Sequence, residues 1–147
     1  MELSQREAML LELAIIWKAL SIVRDKRVTY SGTVDPYRNL RSCSTHGVEP
    51  WRGVLVRLED KLARSRTIAE AKNEWKLLDL LNNDWPDAVN YLSIHAGLVV
   101  EELVILRQEF IEDLEDMVRC LPELVAMLVD DVLEEQAVAA HEVPDPL

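Results

Sequence analysis

The chain has 147 residues, of which 49% are hydrophobic and 29% charged, and it carries a formal net charge of −11. This length is typical of one domain with a core of its own, and four glycines with six prolines exclude a collagen-like or linker-dominated chain. Two cysteines without framework spacing do not indicate a disulfide-stapled module, and no apolar run reaches the ~20 residues of a membrane helix. We therefore expect a soluble, cytoplasmic, globular protein without a membrane segment.

The charge is divided unevenly along the chain. Residues 1–76 hold 14 Lys and Arg against 10 Asp and Glu, whereas residues 77–147 hold 2 against 17. This asymmetry argues against duplex nucleic acid as a ligand of the whole surface, because the acidic half would repel it. It leaves room for a small anionic ligand, such as a nucleotide, near the basic half.

The N-terminal segment carries an S-x-x-E pattern at Ser4 and Glu7, in which the two side chains satisfy each other's free backbone amides. This capping box and the apolar residues after it predict a helix over residues 4–24. Residues 25–50 show little periodicity, apart from a short helix that is compatible with residues 38–44. Ordered loops of this length are often functional, so this segment is the first place to look for a site.

The middle of the chain predicts three further helices. Pro50 in a first turn starts a helix that extends to about residue 65, and a second helix is expected over residues 68–81. Asp84 ahead of Pro86 is typical of a capping residue, so the third helix begins near Trp85. Gly97 within it either kinks the helix or marks a close contact.

The C-terminal third has a heptad pattern, which Arg107 interrupts and Asp131 ends. Pro122 predicts a break or kink near residues 120–121, with a second helix to about residue 138 and a frayed tail over residues 141–147. The pattern is either the core of a bundle or a self-association surface. Its apolar positions are Val100, Leu103, Phe110, Leu114, Met117, Leu121, Leu124 and Leu128, and its outer positions include Glu101, Glu102, Glu109, Glu112, Glu115 and Asp116. No segment has convincing period-two alternation, so the expected fold class is all-α, a helical bundle.

Three ordered blocks resemble the nucleotide modification associated domain 1 family, found largely in phages and bacteria. Residues 29–40 read T-Y-S-G-T-V-D-P-Y-R-N-L, residues 47–61 read G-V-E-P-W-R-G-V-L-V-R-L-E-D-K, and residues 87–91 read D-A-V-N-Y. The resemblance covers about residues 25–95. It implies a helical domain over residues 1–98, similar to the MazG-like nucleotide pyrophosphatases. The heptad pattern predicts a C-terminal helical extension over residues 99–147 that packs on this domain or on a partner subunit.

By this resemblance, acidic side chains from two helices hold Mg²⁺ on a nucleotide. The candidate metal ligands are Asp60, Asp84 and Asp87, with Glu59 and Asp79 nearby. The alternative is that Asp60 and Arg64 form an exposed i,i+4 pair and that Asp84 only caps a helix. Asn82 and Asn83 stand where the family has acids, so the chain is either a hydrolase or a divergent binder that has lost a ligand.

Candidate nucleotide-binding residues lie in the same blocks. Basic side chains there are suited to phosphate, and aromatic rings to stacking on a base, although solvated surface and core are the ordinary positions of these residue types. The candidates are Tyr30, Arg38, Asn39, Arg57, Lys61 and Asn90, with Arg41, Tyr37 and Trp51 as further possibilities. Cys43-x-x-His46 is half of a zinc site without a second half.

We therefore expect a phage-type nucleotide-binding protein that forms a homodimer. If it is an enzyme, we expect a Mg²⁺-dependent nucleotide pyrophosphohydrolase or a nucleotide-modification enzyme. The alternative is a non-catalytic acidic interaction protein, such as an inhibitor or scaffold, that binds a protein partner through its C-terminal helices. The sequence does not distinguish which nucleotide is bound.

Overall fold

The structure is a computed structural model, and it describes residues 2–30, 37, 40–103 and 107–141. Every regular element in those residues is helical, so the fold class is all-α, as predicted. The α-helices are α1 (Gln5–Tyr30), α2 (Pro50–Glu70), α3 (Leu77–Asp79), α4 (Trp85–Glu102) and α5 (Arg107–His141). Short 3₁₀ helices span Arg41–His46 and Glu74–Lys76, and a π-helical turn spans Leu80–Asp84. None of the described helices has the combination of length and apolarity that crossing a lipid bilayer requires.

The capping box predicted at the start of α1 is confirmed. The Ser4 amide donates to Glu7 Oε2 at 2.8 Å, and the Glu7 amide donates to Ser4 Oγ at 3.2 Å. These hydrogen bonds favour the carboxylate form and lower the pKa of Glu7. The helix continues past the predicted end at residue 24, because no glycine or proline interrupts the sequence before Gly32.

Helix α2 begins with Pro50 in its first turn, as predicted, but it continues to Glu70. The separate helix predicted over residues 68–81 is wrong. Lys72 has a φ of 50°, and the amides of Lys72 and Asn73 donate to the carbonyls of Ala69 and Ile68. This pair of bonds is a Schellman motif, which closes a helix through one left-handed residue. Lysine takes the position that glycine usually occupies, so the sequence carries no clear stop signal there.

Helix α4 continues directly from the π-helical turn. Asp84 has helical backbone angles, φ −69° and ψ −44°, and makes no capping hydrogen bond, so the capping interpretation of Asp84 is wrong. The helix contains Gly97, which lies against the Tyr37 ring. A Cβ at Gly97 would come within 3.0 Å of Tyr37 Cζ, so the glycine permits a close contact.

Helix α5 is continuous from Arg107 to His141, with Pro122 inside it. A break near residues 120–121 is therefore wrong, whereas a kink there stays a prediction. Proline removes one hydrogen bond of the helix, but the leucine, glutamate, alanine and methionine residues around it favour the helical state. Val100 lies in α4 and Leu103 follows its end, so neither belongs to α5. The predicted tail lies beyond the described residues except for His141, the last residue of α5.

The chain forms two compact units. The first combines Met1–Glu12 with Ile105–Leu147, and the second is Leu13–Val104. In the second unit α2 packs on α4, and Ala19, Val54, Leu80 and Leu98 are buried. In the first unit Val132 is buried, and Arg6 Nε donates to its carbonyl at 3.2 Å. The predicted division at residues 98 and 99 falls near the end of the second unit and remains a prediction.

Candidate functional site

Lys61 connects α2 to the start of α4 through two carboxylates. Its Nζ lies 3.0 Å from Asp87 Oδ2 and 3.6 Å from Asp84 Oδ1. The three side chains are 27%, 17% and 1% exposed for Lys61, Asp87 and Asp84. The structure therefore brings together two of the predicted metal ligands and one predicted phosphate ligand, from sequence blocks that are more than twenty residues apart.

Asp84 has the most buried side chain of these three charged residues. It ends the π-helical turn, an irregularity that occurs frequently at functional sites. Its two carboxylate oxygens are buried and have no hydrogen-bond partner within the described structure. Their charge is balanced at longer range, by Lys61 Nζ and by Arg64 Nε at 3.3 Å from Oδ2. A buried carboxylate needs such compensation, because its own desolvation is costly.

The environment of Lys61 favours its charged form. The hydrogen bond to Asp87 raises the pKa of Lys61 above its ordinary value of 10.5, and the charges of Asp87 and Asp84 act in the same direction. Partial burial opposes this rise, since desolvation disfavours the ammonium. Lys61 is therefore a fixed positive charge between two carboxylates at neutral pH.

Arg64 extends the group toward the surface. Its Nη2 lies 3.9 Å from Asp79 Oδ2, which Lys76 Nζ also contacts at 3.2 Å. We call the six residues Lys61, Arg64, Lys76, Asp79, Asp84 and Asp87 the α2–α4 charge cluster. Sequence reasoning paired Arg64 with Asp60 on the same helix and missed its contact with Asp84. The sequence signal that could have predicted this contact is the three-residue spacing of Lys61 and Arg64, which places two cations on one helix face.

The carboxylates that the structure brings together decide which kind of metal site is possible. The described residues contain no group of three or more His, Cys, Asp or Glu side chains that could hold a metal ion, so Asp60, which is exposed, does not complete such a group with Asp84 and Asp87. Mg²⁺ is commonly bound by one or two carboxylates together with substrate phosphates and waters. The carboxylates of Asp84 and Asp87 thus fit a Mg²⁺ that arrives with a nucleotide, and do not fit one held by the protein alone.

Other predicted ligands lie elsewhere. Arg57 is exposed on α2. Asn90 Nδ2 donates to the Ala19 carbonyl at 3.2 Å, so this side chain ties α4 to α1. Tyr30 is the last residue of α1, but its side chain lies outside the description, as do Arg38 and Asn39 and most of the predicted loop.

The second unit has another charged contact that sequence reasoning missed. Arg41 Nη2 donates to both carboxylate oxygens of Glu101, at 2.9 and 2.7 Å, and the Arg41 guanidinium lies 5.9 Å from the centre of the Tyr37 ring. Arg41 was a candidate for phosphate, and Glu101 was counted only as an outer heptad position. Both side chains are about one-third exposed.

Trp51 and Cys43 also have partners in the fold. The Trp51 ring meets His95 edge-on at 6.0 Å, and His95 Nδ1 lies 3.2 Å from the Trp51 carbonyl. The Cys43 thiol donates to the Leu40 carbonyl at 3.1 Å, and the residue is not in a disulfide. The contact between Trp51 and His95 joins α2 to α4, whereas the Cys43 hydrogen bond is local to the 3₁₀ helix Arg41–His46 and the residue before it.

Comparison with known proteins adds no relative. No protein-family model, curated protein or solved structure has a significant match to this chain.

Proposed function

We propose that this chain binds a nucleoside phosphate at the α2–α4 charge cluster and belongs to a phage-type, MazG-like group of helical proteins. The observation that carries this proposal is the contact of Lys61 with Asp84 and Asp87. Lys61 and Asp87 come from two of the three blocks that resemble the nucleotide modification associated domain 1 family, and Asp84 lies three residues before the last block. The contact supports a shared role for the two blocks.

The charges of the cluster suit exchange with a magnesium nucleotide. Lys61 and Arg64 are the cations that phosphate oxygens would take as partners, and Asp84 and Asp87 are the carboxylates that would hold Mg²⁺. When bound, Mg²⁺ neutralises phosphate charge and supports hydrolysis of a phosphoanhydride. Each charge would then exchange one partner for another, which limits the cost of opening a partly buried ion pair. We also propose a cytoplasmic location, since the two cysteines are unpaired.

Ligand binding to the purified protein tests this proposal. We expect at least one ribo- or deoxynucleoside triphosphate to raise the melting temperature in the presence of Mg²⁺, because a ligand of the native state stabilises it. Isothermal titration should then show loss of binding in Asp87→Asn. The matched control is Asp79→Asn, which removes the same charge from the exposed edge of the cluster. No shift with any nucleotide, or equal losses in the two variants, would contradict the proposal.

Turnover distinguishes an enzyme from a binder. Release of pyrophosphate from the bound nucleotide, lost in both Asp84→Asn and Asp87→Asn, would support a hydrolase. Binding without turnover would support a divergent binder in which Asn82 and Asn83 replace acids of the family pattern.

A second function, an acidic interaction protein, is favoured by α5. Acidic side chains follow its outer positions, and those of Glu112, Glu115 and Asp116 are exposed. A basic protein partner would form a salt-sensitive complex with this surface. Charge reversal of the three residues to lysine should abolish that complex, while the Asp87→Asn variant should retain it.

A further inference from the structure

Helix α5 presents an apolar face to solvent. Every described side chain of residues 108–127 is exposed, although many of them are large and apolar. The exposed fractions of the large apolar side chains range from 39% for Val125 to 68% for Met117. A single helix with such a face is only marginally stable in water and normally packs against another surface.

The first unit covers one end of this face. Val132 is 3% exposed and its carbonyl accepts a hydrogen bond from Arg6, and Leu128 is half-buried. In the described residues the covered part of α5 is thus centred on Val132, whereas Leu128 keeps part of its surface and Asp131 is exposed. The apolar positions N-terminal to it remain available to a partner.

The heptad pattern restricts the direction of a partner helix. The two core positions are occupied by residues 107, 114, 121 and 128 and by residues 110, 117, 124 and 131. The N-terminal end of the pattern is a basic residue, Arg107, and its C-terminal end is an acidic residue, Asp131. A parallel pair would place Asp131 against Asp131 and arginine against arginine, and both contacts are repulsive.

An antiparallel pair removes this repulsion. With the helices centred near residue 119, Met117 faces Leu121, Leu114 faces Leu124, and Phe110 faces Leu128, each pairing occurring twice by symmetry. The acidic end at Asp131 then faces the basic position 107 of the other helix. The flanking positions Ile111, Val118 and Val125 widen the apolar contact, while Glu112, Glu115 and Asp116 stay outside it.

We propose that α5 pairs with α5 of a second copy of this chain, as an antiparallel coiled coil with its two-fold axis near residue 119. The complementary ends and the match of all central positions identify a second copy as the occupant of this face. This proposal does not depend on nucleotide binding, which involves α2 and α4. In this register Cys120 of one copy lies beside Cys120 of the other.

Cross-linking tests the direction of the helices. The full chain with Cys43→Ser, treated with a short bismaleimide, should give a covalent dimer through Cys120. The comparison variant is Cys43→Ser/Cys120→Ser/Leu124→Cys, which would cross-link in a parallel pair because residue 124 then meets its own copy, whereas in the antiparallel register the two residues 124 lie about 15 Å apart along the helix axis. Cross-linking of the comparison variant, or of neither variant, would overturn the proposal.

Sedimentation equilibrium tests the interface itself. The wild-type chain should be a dimer in the micromolar range, and Leu121→Glu should weaken the dimer about 100-fold, because a charge enters the apolar contact. The matched control is Val129→Glu, which adds the same charge on the same helix at a residue that is similarly exposed, 40% against 43%, but lies outside the core positions. A wild-type monomer, or equal effects of the two substitutions, would overturn the proposal and leave the face to a different protein.

Discussion

Asp84 is a carboxylate with 1% of its side chain exposed, and Lys61 and Arg64 balance its charge. Removing one cation leaves a buried charge with weaker compensation. We expect Lys61→Met to lower the free energy of unfolding by about 1–3 kcal/mol, less than for a fully buried pair because Lys61 is itself partly exposed. Urea denaturation measures this change.

The control for this substitution is Lys76→Met. Lys76 and its partner Asp79 are about half exposed, so the same chemical change should have little effect on stability. In the double variant Lys61→Met/Asp84→Asn, the loss should be smaller than the sum of the single losses, because both residues contribute to one interaction. Additive losses would show that Lys61 and Asp84 act independently.

The raised pKa of Lys61 predicts an alkaline dependence of stability. A pKa above 10.5 in the folded state means that the native protein holds this proton more tightly than the unfolded chain does. The stabilisation is therefore complete below pH 10.5 and is lost as the pH rises through the folded-state pKa. The difference in unfolding free energy between wild type and Lys61→Met should shrink above pH 10.5. A difference that stays constant to higher pH would contradict the raised pKa.

At the scale of the element, Pro122 lies within a continuous helix. Proline in a helix interior removes a hydrogen bond and its ring crowds the preceding turn, so Pro122→Ala should raise the free energy of unfolding by about 1–3 kcal/mol. The internal control is Pro50→Ala, because Pro50 begins α2, where proline is favourable. This substitution should be neutral or slightly destabilising. If Pro122→Ala does not stabilise the protein, α5 is not continuous in solution.

Pro122 and Lys72 also show how local signals misplace the ends of helices. Proline predicts a break, and lysine predicts none, yet α5 passes through Pro122 and α2 closes at Lys72. In α5 the helix-favouring residues around Pro122 outweigh one lost hydrogen bond, and in α2 the Schellman bonds form although lysine occupies the left-handed position. By contrast, the capping box at Ser4 and Glu7 and the proline at the start of α2 were predicted correctly, because their effects are confined to one turn.

At the scale of the molecule, the acidic charge of α5 predicts how salt affects self-association. The sequence of α5 contains ten Asp and Glu against two Arg, so two copies repel each other despite the complementary ends of their apolar faces. Raising the salt concentration screens this repulsion, and the dimer should therefore become tighter. Sedimentation equilibrium at about 0.05 and 0.5 M NaCl measures the change. A dimer that weakens with salt would indicate an interface made of ion pairs.

The same charges predict the opposite response for a complex with a basic partner, which salt should weaken. The two proposals for α5 can therefore be separated in one series of salt concentrations. In these two proposals the apolar face would bind the second copy and the acidic outer face would bind the basic partner, so the two interactions are compatible.

The sequence by itself determined the fold class, the start of α1 and of α2, and the heptad positions of α5. Each of these depends on residue periodicity or on a hydrogen bond within one helical turn, and both can be read from neighbouring residues.

Only the tertiary structure decided which charges meet. Asp84 has the local pattern of a capping residue, and Arg64 has that of a surface ion pair with Asp60. The packing of α2 on α4 instead buries Asp84 and brings Lys61 and Arg64 to it. The physical reason is that ion pairs between helices depend on the separation and rotation of the helices, and these are set by packing of side chains that are distant in the sequence.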